Sequence, residues 1–211
     1  MNFPDWLDLN LVWFVLVGVL FTGYALLDGF DLGVGALHLF TRTDPHRRIM
    51  LNSIGPVWDG NEVWLVTGGG ALFAAFPVVY ATVFSGFYLA LILLLVALIF
   101  RAVAIEFRSK QPMVWWRQMW DVGFAAGSVL SGFLLGVAMG NIAWGVPIDE
   151  RGEFAGTFLG LLHPYALLVG VTAVALFMMH GAIYVVMKTE GDLQAQADRK
   201  STRLNSSHGK L

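Results

Sequence analysis

The chain has 211 residues, of which 57% are hydrophobic and only 13% charged, and its mean hydropathy is +0.67. A soluble domain carries about 25% charged residues, so this chain lacks the charge to cover a water-facing surface, while a lipid-facing surface needs none. The formal net charge of −2 shows no basic excess and argues against a nucleic-acid partner, and zero cysteines exclude disulfides, thiolate zinc or iron–sulfur sites, a catalytic thiol and a covalently attached c-type haem.

Five apolar runs separated by polar punctuation occupy about residues 9–40, 49–76, 78–107, 115–140 and 163–188. Each supplies the ~20 mostly apolar residues that a ~30 Å hydrocarbon core requires. They are too long, and alternate too little, for barrel strands. Since only helices and closed barrels satisfy their backbone in lipid, the expected fold is all-α, a polytopic transmembrane helix bundle. The first run follows Asp5 and Asp8 rather than basic residues, and no small-residue cleavage site follows its apolar stretch. It therefore reads as a span, not a removable signal.

Basic residues set the expected orientation. Arg42, Arg47 and Arg48 follow the first run, Arg108, Lys110 and Arg117 the third, and Lys188 the fifth. The opposite-side segments hold Arg151 as their one basic residue, among Asp149, Glu150 and Glu153. An excess of Lys and Arg marks cytoplasmic loops, which places the N-terminus outside. Trp6, Trp13 and Trp144 then lie toward the outer interface, and Trp115, Trp116 and Trp120 toward the inner one. Residues 189–200 read as a polar cytoplasmic segment. Residues 201–211 show neither helical nor strand period and resemble adapter-derived read-through, a non-native tail on a shortened chain.

Counting along the runs places four carboxylates and a guanidinium at one membrane level. A count of ~20 residues inward from the outer edge of the first run reaches Asp28 and Asp31. The same count puts Asp59 and Glu62 just inside the cytoplasmic edge of the second run, with Arg101 level on the third. Asp28 with Asp31, and Asp59 with Glu62, are i,i+3 pairs that share a helix face. An ionisable group at membrane depth costs ~2.5–3.5 kcal/mol on insertion scales, and one arginine cannot neutralise four acids. The pattern implies a hydrated, partly protonated cluster facing the bundle interior and open to the cytoplasm, suited to proton uptake. The plainer alternatives are that Arg101 snorkels to headgroups and that Asp28 and Asp31 terminate the first helix beside Gly29 and Gly33. Asp121 reads as a structural residue at the inner end of the fourth run.

Glycines 123, 127, 132, 136 and 140, with Ser128, form a small-residue ridge that lets a neighbouring helix approach closely. Gly68-Gly69-Gly70 lacks the Lys-Ser/Thr of a phosphate loop, and the acids from Asp28 to Asp31 lack the ligand pattern of a calcium loop. His180, beside Met178 and Met179, is a conceivable haem ligand, although a lone intramembrane histidine more often hydrogen-bonds across helices. His163 reads as an end residue before Pro164, and His38 and His46 flank the first cytoplasmic loop.

The run Asp28-Gly29-Phe30-Asp31-Leu32-Gly33-Val34-Gly35 resembles subunit II of cytochrome bd-type quinol oxidases. So do Arg47-Arg48-Ile49-Met50-Leu51-Asn52-Ser53-Ile54 and Gly55-Pro56-Val57-Trp58-Asp59-Gly60-Asn61-Glu62-Val63-Trp64-Leu65. The likeness continues through residues 69–77, Phe84-Ser85-Gly86-Phe87-Tyr88, Phe100-Arg101, Arg108-Ser109-Lys110, Trp116-Arg117, Trp120-Asp121 and Gly140-Asn141, and covers about residues 10–188. The family's chains continue for further helices beyond this point.

The resemblance implies a membrane oxidoreductase of the respiratory chain in the bacterial inner membrane, which takes electrons from quinol and reduces dioxygen to water. It implies a haem-bearing partner, subunit I, holding two b-type haems and one d-type haem. The present chain would bind no cofactor or metal of its own and would support assembly and haem retention. A small single-span accessory subunit, membrane lipid and quinone are the other partners to be expected. A carboxylate matching Asp59 belongs to the family's cytoplasmic proton pathway, while Asp31 and Arg101 match retained positions. The expected pathway is Asp59, Glu62, Asp31, Asp28 and Arg101. The alternatives are a proton-coupled transporter and a purely structural membrane scaffold.

Overall fold

A computed structural model describes residues 8–208. Trp6 and Asp5, and residues 209–211 of the expected tail, lie outside the described residues. The chain folds into α-helices α1 (Leu9–His38), α2 (Asp44–Ile54), α3 (Trp58–Ala75), α4 (Pro77–Gly86), α5 (Tyr88–Phe107), α6 (Val114–Trp144), α7 (Pro164–Lys188) and α8 (Gly191–His208). Among the described residues, extended pairing is confined to one bridge, Ile148 with Phe154, in the connection between α6 and α7.

Local chemistry explains the breaks. The Asp8 carboxylate caps α1 by accepting from the Asn10 amide at 2.9 Å. Pro45 sits in the first turn of α2, Pro77 opens α4 and Pro164 opens α7, where a missing N–H leaves no donor unpaired. The second apolar run is therefore not one rod. Pro56, which cannot donate, separates the polar, surface-lying α2 from α3. The third run is likewise divided at Phe87 into α4 and α5.

Among the described residues, four helical segments are long and apolar enough to cross a membrane: Leu9–His38, Tyr88–Lys110, Val114–Trp144 and Pro164–Lys188. α3 has a membrane helix's length, but its first two turns carry Asp59, Asn61 and Glu62, and three glycines follow. The polarity of Asn61 and Glu62 is accounted for by what they meet inside the bundle.

α1, α6 and α7 pack mutually as the centre, α3 lies against α1, and α5 lies against α6. The closest approaches are made where side chains are missing. A Cβ at Gly136 would come within 2.8 Å of the Gly170 backbone, and one at Gly140 within 2.8 Å of Ala166. The ridge read in the sequence is thus two-sided: Gly136 and Gly140 receive α7, while Gly127 receives α5. Toward the α1 C-terminus an apolar core joins Val34, Leu37, Met50, Leu51, Ile54, Ala104, Phe124, Ala182 and Val185. Leu193 and Ala197, one turn apart on α8, dock on it. That docking fixes the first half of α8, whose helix runs on to His208 although the sequence beyond 200 has no helical period.

Candidate functional site

One face of α1 carries the site. Tyr24, Asp28, Asp31, Gly35 and His38 recur at spacings of three and four, so they lie in a single stripe. All five are buried, with Asp28, Asp31 and His38 fully so. A polar stripe can face inward only if other helices bring it partners. Two groups of partners arrive, at two levels.

At the first level, Arg101 of α5 is fully buried and reaches across to α1 and α3. Its Nη2 donates to Asp28 Oδ1 at 2.8 Å, and its Nη1 donates to Glu62 Oε1. Asn61 of α3 donates from Nδ2 to Asp31 Oδ2 at 2.8 Å and to the Leu27 carbonyl at 3.2 Å. α5 comes close enough because Gly127 of α6 lies against it. A Cβ at Gly127 would stand 2.6 Å from the Ala97 carbonyl and 3.3 Å from Arg101 Cβ. Two carboxylates thus pair with one guanidinium, and the third, Asp31, is held beside them by Asn61, so acids outnumber the base in this cluster. Asp28 Oδ2, Asp31 Oδ1 and Arg101 Nε, all buried, have no protein hydrogen-bond partner among the described residues.

Exposure is graded across this cluster. Asp59, in the first turn of α3, is exposed; the Glu62 side chain is 24% exposed; the Asp28 and Asp31 side chains are sealed. Asp59 and Glu62 stand one turn apart, so the acids descend from an open helix end into the bundle. Of the five residues singled out in the sequence, the structure ties Asp28, Asp31, Glu62 and Arg101 together. Asp59 stays outside their ion pairs and acts on Glu62 through its charge.

At the second level, Asp121 of α6 is almost fully buried and accepts from three segments. His38 Nε2 lies 2.5 Å from Oδ1, Arg108 Nε 2.5 Å from Oδ1, and Arg47 Nη1 2.9 Å from Oδ2. Arg108 also donates from Nη2 to Asp44 Oδ1 at 2.7 Å, and Arg117 donates to Asp44 Oδ2 at 3.0 Å. This knot fastens the ends of α1, α5 and α6 to α2. Between the two levels Gly35 is pressed on the Ser128 side chain and the Phe124 ring, leaving no room for a Cβ.

Sequence reading missed Asn61, Tyr24 and the knot. Asn61 had a signal in its position, flanked by Asp59 and Glu62. The knot had a weaker one, three arginines within a helical turn or two of span ends. His180, weighed as an iron ligand, places Nε2 2.9 Å from the Leu26 carbonyl. A carbonyl only accepts, so that nitrogen carries hydrogen.

Comparison with known proteins agrees with this architecture. The sequence pattern of the family described as cytochrome bd terminal oxidase subunit II matches residues 9–207. The chain is 52% identical over 194 residues to cytochrome bd-I ubiquinol oxidase subunit 2 of Escherichia coli (strain K12), covering 90% of this chain and 51% of that protein. It is 46% identical to a probable cytochrome oxidase subunit 2 of Haemophilus influenzae, over 92% of this chain and 52% of the relative. It is 42% identical to cytochrome bd ubiquinol oxidase subunit 2 of Bacillus subtilis, over 93% of this chain and 59% of the relative. The chain thus spans about half the length of the relatives it matches. With its apolar helices and these bacterial relatives, it is a multi-pass protein of the bacterial inner membrane. It belongs to the family of cytochrome bd terminal oxidase subunit II.

Proposed function

We propose that this chain serves as the second subunit of a quinol:oxygen oxidoreductase and takes up cytoplasmic protons for the reduction of dioxygen to water. The supporting observation is the buried cluster of Asp28, Asp31 and Glu62 around Arg101, graded in exposure toward Asp59. Asp59 collects a proton at the open end of α3, Glu62 takes it one turn inward, and the sealed aspartates hold it inside the bundle. Ionised carboxylates only accept hydrogen bonds, whereas protonated ones also donate, so a row of them can pass a proton along. The positive-inside argument puts this open end in the cytoplasm, where the protons for water formation originate.

The haem chemistry belongs to the partner, subunit I, with two b-type haems and one d-type haem. In this chain His38 Nε2 is held by Asp121, His180 Nε2 donates to the Leu26 carbonyl, and His163 Nδ1 accepts from the Ala166 amide at 3.4 Å, so a structural hydrogen bond accounts for one ring nitrogen of each. This chain supports assembly of that subunit, and membrane lipid, quinone and a small single-span subunit are its other proposed partners.

The test uses the complex with subunit I, with oxygen consumption normalised to haem content read from the visible spectrum. Asp59→Asn and Glu62→Gln keep volume and polarity and remove titration. Each is expected to slow oxygen consumption about tenfold, modest beside the ~10²–10⁴ supplied by acid–base groups at a reacting atom. Normal rates in both overturn the uptake reading. Lost assembly with a normal rate per haem favours the scaffold reading, and proton flux without subunit I favours a transporter.

A further inference from the structure

Tyr24 is the one titratable member of the α1 stripe that neither the ion pairs nor the proposed uptake path employs. It lies near the midpoint of α1, one turn from Asp28 on the side away from the exposed acids. The residue is 4% exposed. Its hydroxyl is buried beside Asp28 and has no partner at full hydrogen-bonding distance among the described residues, and Asp28 Oδ2 lacks one too. Asp28, Glu62 from α3 and Arg101 from α5 are the charged groups acting on it. Beyond it on the same face α1 becomes apolar, with Val17 buried. Trp64 of α3 lies over the adjacent Gly23 and closes this end of the cluster.

A buried phenol placed in an apolar helix loses its water partners, a loss that needs compensation. Asp28 Oδ2 is the compensating group in reach. A phenol hydroxyl both donates and accepts. It can donate to Asp28 while the carboxylate is ionised, and rotate to accept while the carboxylic acid is formed. The phenol keeps its own O–H bond in both states, so no bond breaks at Tyr24 and no electron moves.

We propose that Tyr24 closes the inward end of the proton chain in this subunit, a positioning residue that stabilises both protonation states of Asp28. The inference rests on the uptake reading above and extends it one helical turn toward the middle of the membrane.

The experiment uses the complex with subunit I and compares Tyr24→Phe with Glu62→Gln, at equal haem content. Tyr24→Phe removes one oxygen and keeps the ring. It is expected to lower oxygen consumption several-fold and to change its solvent deuterium isotope effect, which a packing role would not move. In infrared difference spectra the C=O stretch of the buried carboxylic acid is expected to rise in frequency as its hydrogen bond is lost. Should Tyr24→Phe impair assembly, difluorotyrosine at position 24 keeps the ring and changes the phenol's acidity alone, and the same change in isotope effect is expected. An unchanged rate, isotope effect and C=O band in the position-24 variant, with Glu62→Gln slow, overturns the role of Tyr24 and leaves the uptake reading standing. Unchanged behaviour in both removes the uptake reading and Tyr24 with it.

Discussion

Arg101 and Asp121 are opposite charges with the same problem. Each is buried, and each is surrounded by several groups of the other sign. Removing one side of such an arrangement leaves uncompensated charge indoors, which costs about 3–5 kcal/mol. Asp121→Ala removes the shared acceptor of His38, Arg108 and Arg47, leaving Arg108 to Asp44 and Arg47 to the Thr41 carbonyl. It is expected to lose stability of that order, read as a lower unfolding temperature in detergent. Asp121→Asn keeps one acceptor oxygen and should lose less. At Arg101, Lys keeps the charge but not the fork that spans α1 and α3 simultaneously. Arg101→Lys is therefore expected to retain insertion and to weaken the tie between Asp28 and Glu62, whereas Arg101→Leu leaves three acids together and is expected to prevent accumulation of folded protein. Western blotting of membranes, with haem content of the complex, separates the two.

Helix packing rests on glycines of two kinds, and only one kind is about contact. A Cβ at Gly127 meets the α5 backbone at 2.6 Å, which cannot give way like a flexible side chain. Gly127→Ala is expected to destabilise by about 1–3 kcal/mol, as overpacking does, and to shift Arg101 with α5. Gly60, Gly69 and Gly70 of α3 have open space where a Cβ would stand. Gly70→Ala is expected to be neutral or to stabilise by up to about 1 kcal/mol through helix propensity. Thermal unfolding of the two variants side by side checks the contrast. α2 belongs to the same scale. It is held at its start by Asp44 and Arg47 and toward its end by Met50, Leu51 and Ile54 in the apolar core, so the mouth beside α3 depends on the Asp121 knot and on that core together.

The molecule as a whole is asymmetric in charge from end to end. The acids of the first level and the basic knot both lie toward the α1 C-terminus, while the α6–α7 connection at the other end carries Asp149, Glu150 and Glu153. With no native cysteine, single cysteines report topology without background. Cysteine at Arg42 or Lys110 is expected to react with a membrane-impermeant maleimide only when the cytoplasmic face is opened. Cysteine at Arg151 should react in intact cells. The reverse pattern would turn the subunit over and put the open end of α3 on the wrong side for cytoplasmic protons.

Hydropathy, length and loop charge come from short-range composition, and they sufficed for a helical membrane bundle, while the family rested on the likeness of runs such as residues 28–35 and 55–65. They also brought Asp28, Asp31, Glu62 and Arg101 to one level, because a helix converts residue count into depth at a fixed rise. Depth says nothing of azimuth or of which neighbour a face meets. Hence α3 begins at Trp58 and not near residue 49, Asp59 turns outward while Glu62 turns in, and Asn61 and Tyr24 entered the site unannounced. The His38–Asp121–Arg108 knot joins residues up to 83 positions apart, and only packing of α1 on α6 could bring them together. The sequence alone determined how deep each charge lies; the tertiary structure decided which charges touch, because touching depends on helix rotation and on glycines that let backbones close.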